Sequence, residues 1–223
     1  MKAKTKDKLV EIFRYVLGIP KTIYFNFNYF KIADALKFPV VVSNKTNFRH
    51  LKGSIKLDVI KTAIVKIGFY PTQTIDFKYD RTILDIQGDI VFRGKCYIGS
   101  GCKIQVKGYL EFGSNDNFNK TSIICHKKII FGNHNLFSWD NLVMDTDQHP
   151  MTDMNGNIIN QDRHIILGNN VWVGCRCTIL KNSIIGNNIV IGANSTVRGR
   201  FKEESTIIVG SPASVVRRGV KWE

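Results

Sequence analysis

Aliphatic residues recur every six positions through the C-terminal half of the chain, and six is the wrong period for a helix. Leu167, Val173, Ile179, Ile185, Ile191 and Val197 keep this beat without a slip. Isoleucine, leucine and valine make up roughly a quarter of the residues, so six consecutive chance hits have a probability on the order of 10⁻³ or less. Because six is not a multiple of 3.6, these side chains would not share one face of an α-helix. They suit short strands joined by corners, each unit sending one apolar side chain inward. Gly168, Gly174, Gly186 and Gly192 occupy the next position in four of the six units, where glycine would relieve the cost of an unusual corner dihedral. Four places after each aliphatic residue stand Val171, Cys177, Ser183, Ile189, Ser195 and Phe201, mostly small, as a tight interior corner requires. An earlier run, Ile86, Phe92, Ile98, Ile104 and Leu110, carries the same beat, with Ile90, Cys96, Cys102 and Gly108 at the small position. The phase then slips by two, and Phe131, Phe137 and Val143 begin a third run.

The composition fits one elongated core with an appendage. Of 223 residues, 43% are hydrophobic, enough for a single sizeable core. Five prolines and 18 glycines in so apolar a chain argue against a disordered or collagen-like polymer. No apolar run approaches the roughly 18 residues of a membrane span. Glu11 and Arg14 interrupt the apolar stretch behind the lysine-rich start, which argues against a signal peptide. The five cysteines, Cys96, Cys102, Cys125, Cys175 and Cys177, show no CxxC pairing of a zinc or redox site. A reduced, cytoplasmic setting is the simplest reading, with Cys96, Cys102 and Cys177 as buried space-fillers. Thirty-two basic against 18 acidic residues leave a net charge of +14, which suits nucleic acid, an anionic membrane face or phosphate-bearing small molecules.

Between Val143 and Leu167 the beat fails for about twenty residues, from Asp145 to His164. Unstructured loops beyond about 12–15 residues are uncommon and usually functional or disordered. His149 stands where the chain leaves the repeat, within Asp145-Thr146-Asp147-Gln148-His149-Pro150. Imidazole is the side chain best suited to removing a hydroxyl proton near neutral pH, and Asp147 or Asp145 would supply a carboxylate to orient it. The same string also reads as a solvated acidic loop with an incidental histidine. His50, His126, His134 and His164 read as surface or capping residues.

The unit [LIV]-G-x-x-[STAVC]-x resembles the hexapeptide repeat of left-handed parallel β-helix acyltransferases. The match extends to the sugar and polysaccharide O-acetyltransferase branch: DTDQHP, then LGNNVWVG from Leu167 to Gly174, Ile185-Gly186 through Val197, and Gly210-Ser211-Pro212-Ala213. The resemblance implies an all-β fold, a left-handed parallel β-helix over residues 40–211, with an N-terminal helical and aromatic cap over 1–39. The extended loop spans 145–164, and a short C-terminal helix falls within 212–223. Residues 83–144 and 165–211 then supply roughly six coils, on the order of 30 Å of prism, with Ile55-Lys56-Leu57 and Ile67-Gly68 adding one or two less regular ones.

The resemblance also implies acetyl-CoA as co-substrate, no required metal, and His149 as the base that deprotonates a sugar hydroxyl in direct transfer. Residue by residue it points to Trp172, Gly174, Cys175, Gly192, Ala193, Arg198 and Arg217 as donor contacts, and to Asn117 and Asn119 as acceptor contacts. Trp172 reads equally as a surface aromatic packed on a neighbour. Two departures stand out: Arg198-Gly199 replaces the family's Thr-Lys pair, and Ser214 stands where a basic residue is usual. Members of the family commonly form trimers with sites between neighbours. A cell-surface polysaccharide precursor, free or lipid-linked, is the acceptor expected for capsule or O-antigen synthesis.

The first 39 residues do not repeat. Leu9, Ile12, Phe13, Val16 and Leu17 follow helical spacing, with Gly18 and Pro20 as a stop signal. This segment reads as a cover for the open end of the β-helix. The alternative is that Lys2, Lys4, Lys6 and Lys8, with this aromatic helix, touch an anionic membrane at the inner face.

Rival functions are a bare scaffold or binding protein, an N-acetyltransferase acting on an amino-sugar, and a zinc enzyme of the carbonic anhydrase type. The last needs an H-x₄-H pair, and no two histidines here have that spacing. The basic residues are spread along the chain and no nucleic-acid motif appears, so nucleic acid is not an expected partner.

Overall fold

The computed structural model describes residues 2–69, 75, 76 and 78–222, with side chains from Ile12 onward. Strands pair in parallel with the strand one turn later rather than with their neighbour in sequence, which builds three faces of a prism. Among the described residues, face A runs from Val40–Val42 to Thr206–Gly210, face B from Asn47–Leu51 to Thr196–Val197, and face C from Ser54–Leu57 to Arg200–Phe201. Faces B and C each hold seven strands, and face A holds eight parallel strands plus one antiparallel strand. At about 4.8 Å per strand the stack is roughly 34 Å tall. It is the left-handed parallel β-helix.

The six-residue beat is the inward column. Val173 stacks between Phe137 and Ile191, Ile179 between Val143 and Val197, and Leu167 between Phe131 and Ile185. All are buried, and each such side chain stabilises by about 1.5–3 kcal/mol. The middle turns are filled by aromatic rings: Phe92, Phe112 and Phe131 stack at 5.0 and 5.6 Å, and Phe118 lies 4.6 Å from Phe137. The phase slips there because the corners take extra residues. Ile98 pairs with Phe118 and Ile104 with Ile123, twenty and nineteen residues on.

The corners correct one expectation. The repeat glycines do not carry the unusual dihedral; the residue two places later does. Asn170, Arg176, Asn182, Asn188 and Asn194 have φ between 55 and 69°, a region asparagine enters more readily than most residues. Glycine is required instead because the next turn is too close. A Cβ on Gly174 would lie 2.7 Å from the Ala193 nitrogen, and one on Gly192 would lie 2.3 Å from Val209 Cγ1. Asparagines also tie turn to turn. Asn133 N–H donates to Asn169 Oδ1 and Asn169 N–H to Asn187 Oδ1, each at 2.8 Å. Asn135 and Asn141 Oδ1 accept from the Val171 and Cys177 N–H groups one turn above, also at 2.8 Å. Buried corner groups are thereby paired.

Helix α1 spans Lys2–Tyr29 and α2 spans Ile32–Ala35. The sequence pattern predicts a stop at Gly18 and Pro20, yet α1 runs through both. The prism holds its inner face. Thr22 Oγ1 accepts from Val42 N–H at 2.9 Å; Asn26 accepts from Val40 N–H at 3.2 Å and donates to Val40 O at 2.6 Å. Four helical residues rise about 6 Å and two strand residues about 6.6 Å, so one helix turn matches the free edge groups of Val40–Val42. Gly18 lets the helix approach, since a Cβ there would meet Val42 O at 2.5 Å. Phe25 is fully buried beside Tyr29 and Phe48. The side chains of Lys2, Lys4, Lys6, Lys8 and Leu9 lie outside the described residues.

The opposite end corrects a second expectation. Residues 213–218 are not a helix but the strand Ala213–Arg218, folded back antiparallel on Thr206–Gly210. A helix would leave the last edge strand unpaired, whereas this hairpin closes it. Ala213 and Val215 pack on the core while Ser214 and Val216 face outward, the period-two alternation of a strand.

Asp116 is fully buried; one carboxylate oxygen accepts from Asn135 N–H at 2.8 Å and the other has no partner among the described residues. Burial pushes its carboxyl up to about 7. Between pH 4 and 7 the folded state therefore holds a proton that the unfolded chain has lost, and stability falls as pH rises through that window. Asp116→Asn should remove this slope, a difference on the order of 4 kcal/mol by pH 8. Parallel melting curves of both proteins at pH 5 and pH 8 would check it, and equal pH slopes would contradict the assignment.

Candidate active site

The inserted loop leaves the prism after Leu142–Met144 on face B and returns at Ile165–Leu167 on face C. Its foot is Asp145. That carboxylate is fully buried and accepts the N–H groups of His126, Lys127 and Lys128 at 2.7, 2.9 and 2.7 Å. Asp145 thus caps the turn beneath the loop and does not orient His149, which corrects the sequence-based expectation. Its three donors are backbone groups of the preceding turn, a partnership no local motif advertises.

Asp147 is held differently. Its Oδ2 lies 2.6 Å from Lys181 Nζ and 2.9 Å from Asn160 Nδ2. The hydrogen bond from Lys181 holds its carboxyl below the usual carboxylate range. Lys181 also donates to Asn160 O at 2.6 Å, and its side chain is 11% exposed. Asn160 then reaches His149: its amide donates to His149 O at 2.8 Å, while its Oδ1 accepts from Met151 N–H at 2.7 Å. His149 N–H donates to Asp147 O at 2.8 Å. The backbone around His149 is therefore pinned on both sides, and the Asp147 carboxylate serves Lys181 and Asn160. Further out, Asp153 closes the loop tip by accepting from the N–H groups of Asn155 and Asn157 at 2.9 Å.

His149 is exposed at the rim of a cleft of about 550 Å³. Gln148, Pro150, Ile158, Asn160 and Asp162 line it from the loop, and His126 and Lys127 from the turn below. His126 Nε2 is buried there without a hydrogen-bond partner among the described residues. Sequence reasoning passed over both His126 and Lys181. Neither lies in a recognisable string, and only the stacking of turns brings them to the loop. Behind the loop a second cavity, about 310 Å³, is bordered by Asp147, Arg163, Lys181 and Arg198.

The other expected residues lie elsewhere. Gly174 and Cys175, then Gly192 and Ala193 one turn above, form the corner between faces A and B. His149, Lys181 and Arg198 occupy the corner between faces B and C. Trp172 projects from face A, its indole N–H 3.3 Å from Ser138 Oγ and its ring 6.1 Å from Trp222. Arg217 is exposed on the final hairpin. Asn117 and Asn119 border a separate hollow on face A with Lys66 and Tyr97, and the Asn119 amide is engaged by Phe137 O at 2.9 Å. One chain does not bring these groups to His149.

All five cysteines are free. Burial pushes the Cys102 thiol up to about 12 and raises those of Cys96, Cys125 and Cys177 as well. These four are poor nucleophiles. Among the described residues no cluster of histidine, cysteine and carboxylate side chains is arranged to hold a metal.

Comparison with known proteins gives the scaffold its relatives. The bacterial transferase hexapeptide (six repeats) family matches residues 164–199. The polysialic acid O-acetyltransferase of Neisseria meningitidis is 33% identical over 153 residues, 68% of this chain and 69% of that protein. The chain belongs to the hexapeptide-repeat acyltransferases, in their sugar O-acetyltransferase branch. The crystal structure of the polySia-specific acetyltransferase NeuO shares the fold, with a TM-score of 0.53 at 20% identity over 82% of each chain. As a member of this family the chain is an acyltransferase. The family's repeat explains the prism, while the Lys181–Asp147–Asn160 anchorage is read from this chain's own geometry.

That anchorage is testable. Asp147 is partly exposed, so the pair is discounted from a fully buried bridge to about 1–2 kcal/mol. Lys181→Met should speed amide exchange across residues 147–160 by roughly tenfold and leave exchange in the Phe92–Phe137 turns unchanged. Equal loop protection in both proteins would show that Lys181 does not hold the loop.

Proposed function

We propose that this chain transfers the acetyl group of acetyl-CoA to a hydroxyl of a sugar in a cell-surface polysaccharide precursor, with His149 as general base. The observation that carries this reading is His149 at the rim of a polar cleft, carried by a loop that is itself fastened to a rigid corner. A ring nitrogen of His149 takes the hydroxyl proton as the sugar oxygen attacks the thioester carbonyl. The C–S bond then breaks, and the imidazolium returns the proton to the departing thiolate. No acyl-enzyme is needed, in keeping with the burial of Cys96, Cys102, Cys125 and Cys177. Base assistance of this kind contributes about 10²–10⁴-fold. Lys181 and Asn160 act as positioning residues by fixing the backbone that carries the ring.

The separation of the two corners supports a site shared between copies. Two prisms side by side, axes parallel, bring the His149 corner of one against the Gly174–Gly192 corner of the other. A closed ring of three does this at every interface. In that arrangement Trp172, Cys175 and Ala193 flank the donor's pantetheine arm, and Arg198 or Arg217 meets its phosphates. Asn117 and Asn119 contact the acceptor. The polysialic acid relative supports an acidic, polymeric glycan as acceptor class.

Two experiments test this. His149→Ala should lower acetyl transfer by 10²–10⁴-fold while leaving CoA affinity within about twofold, read by CoA release and by calorimetry; undiminished turnover would refute the role of His149. Mixing and reassembling His149→Ala with Ala193→Trp, the latter at an exposed position of the donor corner and each inactive alone, should restore part of the activity, because some interfaces then carry both intact halves. No recovery in demonstrably mixed oligomers would place the whole site in one chain.

A further inference from the structure

Helix α1 is apolar on two sides. Phe25 and its neighbours face the prism, while Ile12, Phe13, Val16, Ile19, Ile23 and Phe27 point away from it, each 43–61% exposed. Five of these recur at i, i+4, i+7, i+11 and i+15, so they form one straight stripe about 22 Å long. Monomeric proteins rarely leave a contiguous apolar surface of that extent uncovered. No helix among the described residues is long and apolar enough to cross a membrane, so a helix of this character would lie along an interface rather than through it.

Charge selects the occupant. Residues 1–37 carry eight lysines and arginines against three acids, and the whole chain is +14. A second copy would set like charge against like charge, whereas an anionic bilayer presents the opposite sign. The aromatic rings of Phe13 and Phe27 suit the apolar face of a helix lying at the headgroup–acyl boundary. We propose that the outer face of α1 seats on an anionic lipid surface, its stripe at the headgroup–acyl boundary and its lysines on lipid phosphates. This surface is independent of the acetyl-transfer reading, so failure of either leaves the other standing.

The test uses the full chain in vesicle co-sedimentation. Vesicles of phosphatidylcholine with about one-third phosphatidylglycerol should bind it at least about tenfold more tightly than phosphatidylcholine alone, and salt should release it. Replacing Val16, Ile19 and Ile23 together by serine should weaken binding to anionic vesicles by about tenfold or more without moving the melting temperature, because all three side chains are already exposed. Replacing Lys2, Lys4, Lys6 and Lys8 by glutamine leaves the stripe intact, so it tests the charge term even if the serine variant folds poorly. It should abolish the preference for anionic lipid. Three results would overturn the proposal: no binding of the unaltered chain to anionic vesicles, equal binding to neutral ones, or a serine variant that binds undiminished. A stripe substitution that halves the oligomer while vesicles go unbound would assign the face to a second copy instead.

Discussion

Backbone stacking at one strand spacing per turn governs everything else in this molecule. Each turn must close within about 4.8 Å of the last, so nothing at a corner can project along the axis. That single restriction explains why Gly174 lacks a Cβ and why Asn170, Asn182, Asn188 and Asn194 accept positive φ. It also explains why asparagine side chains double as hydrogen-bond acceptors for the neighbouring turn, above or below. The inward columns follow, because side chains that point inside so tight a turn stack on those of the next turn, as Leu84 and Ile86 do on Ile104 and Val106. The two ends obey the same rule. An unpaired edge is closed at one end by Thr22 and Asn26 of a helix and at the other by the Ala213–Arg218 hairpin.

The same frame tolerates a twenty-residue insertion without losing register. Leu167 stacks on Phe131 as though the loop were absent, and Val143 meets Ile179 directly. The loop therefore springs from two fixed points and needs to order only itself. It does so with few groups: Asp145 at its foot, Asp153 at its tip, and Lys181 reaching from the next turn to bind Asp147 and Asn160. A histidine carried on such a loop gains the positional constancy of the scaffold while remaining open to large acceptors.

Period and composition made the prism legible because stacking imposes the same requirement on every unit, so the signal repeats. The place of His149 on the inserted loop was legible because it lies beside the point where that signal breaks. What stayed hidden depends on contacts between turns. Asp145 and Asp147 look interchangeable in the string DTDQHP, yet one is buried under three backbone N–H groups and the other faces Lys181, thirty-four residues on. His126 reads as a turn residue until stacking places it beneath the loop. Gly18 and Pro20 read as a helix stop because local propensity says so. The bonds from Thr22 and Asn26 to the edge strand override that preference.

The electrostatics of the loop bear on how the imidazole would work. The two Asp145 oxygens are consumed by backbone donors, and the one Asp147 oxygen that bonds at all faces Lys181 and Asn160 rather than the ring. Among the described residues His149 consequently has no orienting carboxylate, in contrast to a serine-protease-like dyad. A base in that position has its tautomer set by whatever closes over the cleft: the acceptor, the donor, or a group from an adjoining prism. In the arrangement proposed above, a base completed only when both substrates and the neighbouring corner are present would not spend acetyl-CoA on water.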